Sequence, residues 1–465
     1  KRDWSSDVCS SDLTFAGQGI NDPSAKVFFD YTQFGFHAMV MTDNGWYYIE
    51  PVDLTTETEY LVYYRKDIGH GPSFDCGVTS ESDIKDIDEL VAGKGGNNNT
   101  VMVGNSLRDY RLALACTGEY AAYYGGTVTG AAAGMLTSVN RVDGIYETEM
   151  CISLTLIANN NLLIYTNANT DPYTNNNGST MLGQNQTTVT SVIGSANYDI
   201  GHVFSTGGGG IANLGCVCSS GNKARGVTGS TAPVGDGYDV DYVAHEMGHQ
   251  FSGNHSFNSQ TGSCGGGNRN ANTAYEPGSG ITIMGYAGIC GSDDLAAHSI
   301  AYFHLISLAE INTFTTTGGG STCPVSTPTG NNAPTIATLG TWIIPYQTPF
   351  RLTATGSDPD GDPIYYTWEE YDKGPAGAWN APSGDAPIYR SYAPDTSATR
   401  IFPKLNYVLS NTTGKGELKP TYARTLKFKC TIRDKKTGGG GWIYNANNVT
   451  VQCINTGTGF AVTYP

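Results

Sequence analysis

The sequence predicts a protein of several domains: a central α/β domain built on a mixed, mostly parallel sheet, a small β-rich module before it and an all-β sandwich after it. Three observations predict this. The chain has 465 residues, more than one hydrophobic core usually organises. Strand-like and helix-like runs alternate through residues 107–315, the pattern of a parallel sheet with crossover helices. Residues 14 to about 78 and 334–465 show strand periodicity with Gly, Asn, Asp and Pro turns, and a low-complexity linker at 316–333 sets off the last region.

Residues 1–13, KRDWSSDVCSSDL, resemble a translated sequencing adapter and are set aside with Cys9. From residue 14 to about 78 apolar and polar residues alternate, and Asn44-Gly45 between two such runs marks a hairpin. Residues 79 to about 106 turn acidic and then Gly/Asn-rich (GKGGNNNT), as an exposed linker does. RLALACT then reads as a buried strand, and Thr117 is placed to cap the stretch GEYAAYYG. Ala133, Met135, Leu136, Val139 and Val142 recur at helical spacing. CISLTLIAN is a strand, TTVTSVIGSAN a short helix, DIGHVFS a strand and IANLGCVC a short strand. DVDYVAHEMGHQF, capped by Asp239, and FHLISLAEINTF at 303–314 are helices. Residues 334–465 suit a sandwich of about seven strands with Trp368 in its core.

Net charge is −16, which argues against a nucleic-acid partner, since that needs a basic face. No apolar run reaches the ~18 residues of a membrane span. Eleven cysteines are dispersed with no CxxC pair, which excludes zinc-ribbon and thioredoxin readings and favours disulfides in an oxidising compartment. A secreted or cell-surface location is expected, with no export signal in this fragment. Cys264 with Cys290, and Cys430 with Cys453, are the pairs suggested by position.

The chemistry concentrates in HEMGHQFSGNH. His245 and His249 lie four apart on one helix face, so both imidazoles reach one Zn²⁺. Glu246 stands beside the first ligand, within reach of a metal-bound water as general base. His255 supplies a third nitrogen and leaves a fourth position open, as catalytic zinc requires. Gly253 is expected to provide the left-handed residue that turns the chain back toward the metal. His37, His70, His202, His298 and His304 lack ligand partners at useful spacing.

This segment resembles the metzincin signature HExxHxxGxxH, with Ser252 where the family has Gly. YDIGHVFSTGGGGIANLGCV, GNKARGVTGS and TIMGYAGIC are similar to bacterial secreted reprolysin-like metallopeptidases. The resemblance implies a zinc endopeptidase acting on extracellular proteins or peptides. It implies Met284 as the Met-turn residue beneath the metal, and Tyr286 as either an extra ligand or a transition-state donor, against an ordinary core role. It also implies an edge strand, Ile211, Ala212, Asn213, Leu214 and Gly215, that pairs with an extended substrate. Cys76 in FDCGV resembles the cysteine switch of metzincin zymogens, with a disulfide half or a buried thiol as the alternative. On that reading residues 14–106 are a prodomain.

GSDPDGDPIYYTWEEYD resembles bacterial Ig-like and cadherin-like modules. Asp358, Asp360 and Asp362 alternate in a turn there, and Ca²⁺ or a plain polar turn accounts for them equally. The competing reading of the chain is a surface adhesion or binding protein with an inactive metallopeptidase domain. A small-molecule zinc hydrolase fits the edge strand less well.

Overall fold

The structure, a computed structural model, describes residues 13–22, 24–55, 58–69, 76–79, 103–207, 209–337 and 339–458. Residues 1–12 of the adapter-like segment, His70 and most of the 79–106 linker lie outside the described residues.

The front region is an antiparallel meander of five strands, β1 (Thr14–Gln18), β2 (Lys26–Thr32), β3 (Gly35–Thr42), β4 (Gly45–Pro51) and β5 (Tyr60–Tyr64), paired in chain order. The expected hairpin joins β3 to β4. Thr42 pairs with Gly45, so Asp43 and Asn44 make the two-residue loop and Gly45 takes φ 119°. One face of the meander is apolar. Phe28, Met39 and Tyr48 are fully buried in the same core as the central domain.

The short strand β6 (Cys76–Thr79) comes next, ahead of the central domain. That domain holds β7 (Ser106–Cys116), α1 (Gly118–Tyr123), α2 (Val128–Met150), β8 (Ile152–Leu156), α3 (Gly178–Ile193), β9 (Ile200–Ser205), β10 (Gly210–Asn213) and β11 (Gly226–Gly229). Thr117 caps α1 by accepting the Tyr120 amide, as its sequence position suggests. The short helix expected at 187–197 begins nine residues earlier, where Asn177 caps α3. The helix that carries His245 and His249, α4 (Ala244–Gln250), and α5 (Leu305–Thr316) complete the helical layer. The sheet runs β12 (Val325–Pro328), β7, β9, β11, β10, β6, with β8 also on β7. Pairs β7/β8, β7/β9, β9/β11 and β10/β6 are parallel; β10/β11 and β12/β7 are antiparallel. The sheet is therefore mixed and mostly parallel.

The linker reading of 316–333 is corrected. Within it β12 (Val325–Pro328) extends the sheet along β7, Cys323 is disulfide-bonded to Cys218, and the Gly320 carbonyl accepts the Tyr110 hydroxyl. The composition is that of a linker, but backbone pairing and a disulfide fix a segment whatever its side chains.

The last region is β-rich. A path β14 (Thr341–Pro345), β21 (Val449–Ile454), β19 (Arg424–Arg433), β17 (Tyr365–Glu370) carries β20 (Trp442–Tyr444) on β19. Two further pairs are β13 (Thr335–Ile336) with β16 (Gly356–Ser357) and β15 (Phe350–Thr353) with β18 (Thr399–Phe402). A short helix, α6 (Leu405–Ser410), interrupts the strands. Among the described residues nine strands stand where about seven are expected. Trp368 lies in the core as predicted, its indole N–H on the Ala398 carbonyl. The expected Cys430–Cys453 disulfide is absent, and both thiols are free and buried. Cys453 sits opposite Arg424, six residues along β19 from Cys430. That is about 20 Å of strand, far beyond the ~7 Å a disulfide spans. Among the described residues no helix is long and apolar enough to cross a membrane.

Candidate active site

The site is built on a helix that starts earlier than its sequence suggests. A helical turn at Asp236–Tyr238 runs into a π-helical segment, Asp239–Val243, and then into α4. Asp239 is therefore not the cap. It lies inside the helix, where its carboxylate accepts Ser138 Oγ and pairs with Arg141. A π segment carries an extra residue per turn and so re-aims the side chains of α4. Val240, Val243, Ala244, Met247 and Phe251 are all fully buried.

The end of α4 also differs from expectation. The left-handed residue is Ser252, at φ 77°, and not Gly253. The Gly253 amide bonds back to the Gly248 carbonyl at 2.8 Å and the Ser252 amide to His249 at 2.8 Å. This is a Schellman arrangement, with serine in the seat glycine usually takes. The turn has not shifted by a residue. Its two hydrogen bonds offset the roughly 1–2 kcal/mol cost of a left-handed L-residue.

The turn brings His255 back to the helix. The three Nε2 atoms of His245, His249 and His255 are 3.0, 3.1 and 3.3 Å apart. The Cys76 Sγ lies 3.5, 3.6 and 3.7 Å from them, so sequence-distant residues form one buried cluster of four. Each ring is oriented from behind. His245 Nδ1 donates to the Ile283 carbonyl (2.6 Å), His249 Nδ1 to Gly253 (2.7 Å) and His255 Nδ1 to Asn268 (2.6 Å). A carbonyl only accepts, so the proton sits on Nδ1 and each Nε2 offers a lone pair to the centre.

Burial and the neighbouring imidazoles hold His249 and His255 well below the usual imidazole range, and burial brings His245 down to about 4. Three neutral rings thus point lone pairs at one another, which is unfavourable unless a cation lies between them. A tetrahedral zinc with bonds of ~2.0–2.1 Å to nitrogen and ~2.3 Å to sulfur would space its nitrogens about 3.3 Å apart and its sulfur about 3.6 Å from each. The donor set fits that ion in type, protonation and spacing.

Glu246 is wholly buried beside this cluster. It faces the Cys76 thiol, and its two oxygens have no other hydrogen-bond partner among the described residues. Met284 is also fully buried, its sulfur against the helix at Gly248. A Cβ on Gly248 would meet that sulfur at 2.6 Å, so the glycine between the two histidines is what lets methionine lie this close. Tyr286 packs its ring edge-on to His255 at 4.5 Å, and its hydroxyl donates to the Cys76 carbonyl at 3.1 Å.

Strand β6 brings Cys76 to these groups. It runs parallel to β10, Cys76 opposite Gly210 and Thr79 opposite Asn213. The edge-strand expectation is partly corrected. Ile211, Ala212 and Asn213 belong to β10, but Leu214 and Gly215 do not, because Gly215 at φ 60° turns the chain away and its amide binds the His249 carbonyl.

Sequence reasoning missed three supports. The carbonyl of Asn268 carries no side-chain signature. The Cys218–Cys323 disulfide joins a segment whose composition is that of a linker. The buried Glu276 accepts Ser256 Oγ and the Ile281 amide and bonds the Thr282 hydroxyl, joining the residue after His255 to the Met284 turn. The Cys264–Cys290 disulfide, by contrast, is present as expected and ties the His255 loop to the segment after Tyr286.

Asp358, Asp360 and Asp362 do come together, but Lys436 Nζ sits 2.9 Å from Asp362, and Asn332 donates its amide and side-chain N–H groups to Asp360. The turn carries its own counter-ion, and no calcium role is proposed for it. The remaining described histidines have structural partners: His202 with Gln250 and Thr228, His298 with Asp241, His37 with Asp30, and His304 capping α5.

Residues 106–313 match the family model described as Metallo-peptidase family M12B Reprolysin-like. That span contains the three histidines, Glu246, Met284 and Tyr286, and the match supports a zinc metallopeptidase type of function with protein or peptide substrates. No curated protein matches the chain.

Proposed function

We propose that the protein is a secreted zinc endopeptidase made in a latent form, with His245, His249 and His255 as ligands and Glu246 as general base. The observation that carries the reading is the convergence of three Nδ1-tethered imidazoles beside the buried carboxylate of Glu246. Zinc, when bound there, supplies the Lewis acidity that ionises water near neutral pH and polarises a carbonyl. Glu246 takes the proton of the attacking water and delivers it to the leaving amine. The Tyr286 hydroxyl, which reaches a backbone carbonyl in the resting chain, donates to the scissile oxygen as charge develops on it. β10 pairs with the extended peptide.

In the latent chain Cys76 would take the fourth ligand position, and β6 holds the strand β10 that the substrate would pair with, so the attacking water and the peptide would both be displaced. The front module is then a prodomain, and cleavage in the 79–106 linker begins activation. The test is zinc content together with casein cleavage, for the wild type, Cys76→Ala and Glu246→Ala. Cys76→Ala is expected to keep zinc on the three histidines and, once the front module has been cut away and removed, to cleave casein in a reaction stopped by a chelator. Glu246→Ala is expected to keep zinc and lose turnover.

Four buried donors around one point also describe a closed structural zinc site. A Cys76→Ala protein that binds zinc normally yet never cleaves any peptide would favour that reading, or an adhesion protein with an inactive peptidase domain.

A further inference from the structure

The third ligand, His255, is oriented by the carbonyl of Asn268, which sits in a loop with little stiffness of its own. The stretch Gly262–Asn270 contains four glycines, three of them at positive φ, and beyond its first turn it has no regular secondary structure. What aims the Asn268 carbonyl is therefore what pins the loop. One pin is covalent, the Cys264–Cys290 disulfide. A second is Asn270, whose side chain donates to Asn254 at 2.9 Å.

The third pin is Arg269, the residue directly after the carbonyl in question. Its guanidinium donates through Nε and Nη2 to Asn258 Oδ1 (3.0 and 2.8 Å) and through Nη2 to the Gly374 carbonyl (2.9 Å). Asn258 is held from the same side. Its amide nitrogen donates to the Pro375 carbonyl at 3.0 Å, and its own carbonyl accepts the Gly377 amide at 3.3 Å. Gly374, Pro375 and Gly377 belong to the segment after β17, in the C-terminal β-rich region and outside the residues that match the peptidase family. That segment is itself anchored, since Tyr371 stacks on Tyr275 at 4.3 Å and the β17 residue Glu369 accepts the first amide of α5.

We propose that the C-terminal region is a working part of the metal centre, and that Arg269 is a positioning residue. By clamping the His255 loop to the Gly374 carbonyl, it keeps the Asn268 carbonyl on His255 Nδ1 and so keeps Nε2 aimed at the ion. A guanidinium suits the task, because its planar fork satisfies two acceptors in fixed directions where an ammonium reaches one. The inference rests on the zinc reading proposed above.

The experiment measures zinc affinity by chelator competition on the full-length chain, for the wild type, Arg269→Ala, Arg269→Lys and the exposed control Arg351→Ala, with thermal unfolding of each metal-free protein. Removing a group that orients a ligand weakens metal binding by about 10- to 100-fold. Because the disulfide, Asn270 and the Ser263 amide on the Ile289 carbonyl still hold the loop, Arg269→Ala is expected near the lower end, about 10-fold, with Arg269→Lys between it and the wild type and Arg351→Ala unchanged. The metal-free unfolding midpoints are expected to stay together. Unchanged zinc affinity in both Arg269 variants would overturn the proposal, and so would a loss of metal-free stability large enough to account for the whole change. If Arg269→Ala does not fold, Arg269→Lys decides by the same criteria. A wild type that binds no zinc would instead refute the metal reading itself.

Discussion

If the front module is a prodomain, cutting the linker is not enough to remove it. Phe28, Met39 and Tyr48 are fully buried in a core they share with Leu136, Val139 and Ile145 of α2. Phe28 lies flat against Gly144, where even a Cβ would come within 2.7–3.0 Å of its ring. The meander is a single layer, so α2 is what covers its apolar face. Truncating a buried Phe to Ala costs about 3–5 kcal/mol. At about 1.4 kcal/mol per tenfold, Phe28→Ala should weaken the hold of the cleaved module by roughly a hundred- to a few thousand-fold. The assay is a protease cut between residues 80 and 102, then size exclusion at micromolar protein and peptide hydrolysis on the eluted fractions. Wild-type pieces are expected to co-elute and remain inhibited, whereas Phe28→Ala pieces separate and the larger becomes active. Wild-type pieces that part at micromolar concentration, with activity appearing at the moment of cutting, would refute the reasoning.

Three other outcomes are expected. Ser252→Gly should raise stability by about 0.5–1 kcal/mol, as relief of the left-handed strain at φ 77° outweighs the added chain entropy; an unchanged or lower denaturation midpoint would count against the strain. Burial pushes Glu310 up to about 8, while an unfolded Glu titrates near ~4.3. The folded chain therefore keeps a proton that the unfolded chain has lost. Stability from this group is full below ~4.3 and falls as pH rises to about 8, by at most about 1.4 kcal/mol per unit, so Glu310→Gln should flatten the slope in urea titrations of the metal-free protein between about pH 5 and 8. Arg433→Ala should destabilise by about 3–5 kcal/mol by leaving Glu149 buried and uncompensated, and far-UV and aromatic probes should still report one shared transition for the central and C-terminal regions. Separate melting of the two regions in the wild type would contradict that coupling.

The site was legible where it is local. His245 and His249 are joined by helical geometry, and His255 is tied to them by a short turn, so spacing alone brings three rings together. The alternation of strands and helices through the central domain was legible for the same reason, since each element declares its own period. What escaped was set by partners far away in the chain. β6 is four residues long and β12 sits in a Thr/Pro/Gly-rich run, so neither carries enough periodicity to announce a strand; each exists because β10 or β7 offers it an edge. The start of the active-site helix was misplaced because Asp239 has the look of a cap. Its carboxylate is instead spent on Arg141 and Ser138, contacts that no local pattern encodes. The misjudged Cys430–Cys453 pair fails on register, which neighbouring strands decide together.

The same long-range contacts explain why composition marks domain boundaries that the folded chain does not respect. Three arginines cross those boundaries in buried settings. Arg65 of the front module pairs with Asp236 and Asp241, at the start of the active-site helix, and donates to the Ser299 carbonyl. Arg141 on α2 holds Glu50 of the front module at 2.6 Å and Asp239 at 2.9 Å. Arg433 of the C-terminal region reaches Glu149 at 3.0 Å and the Phe303 carbonyl at 2.9 Å. An exposed ion pair at a boundary would be worth little and could open freely. A buried one cannot, because parting it strands both charges in a poorly solvating interior. Two of these ties end on the segment 236–243, which leads directly into the two histidines of α4. The front module therefore does more than cover the groove: it compensates carboxylates at the root of the ligand helix. On the proposed latent reading, its departure would expose those carboxylates to water, and activation would then be a repacking of the base of the histidine-bearing helix as well as the loss of the strand beside β10.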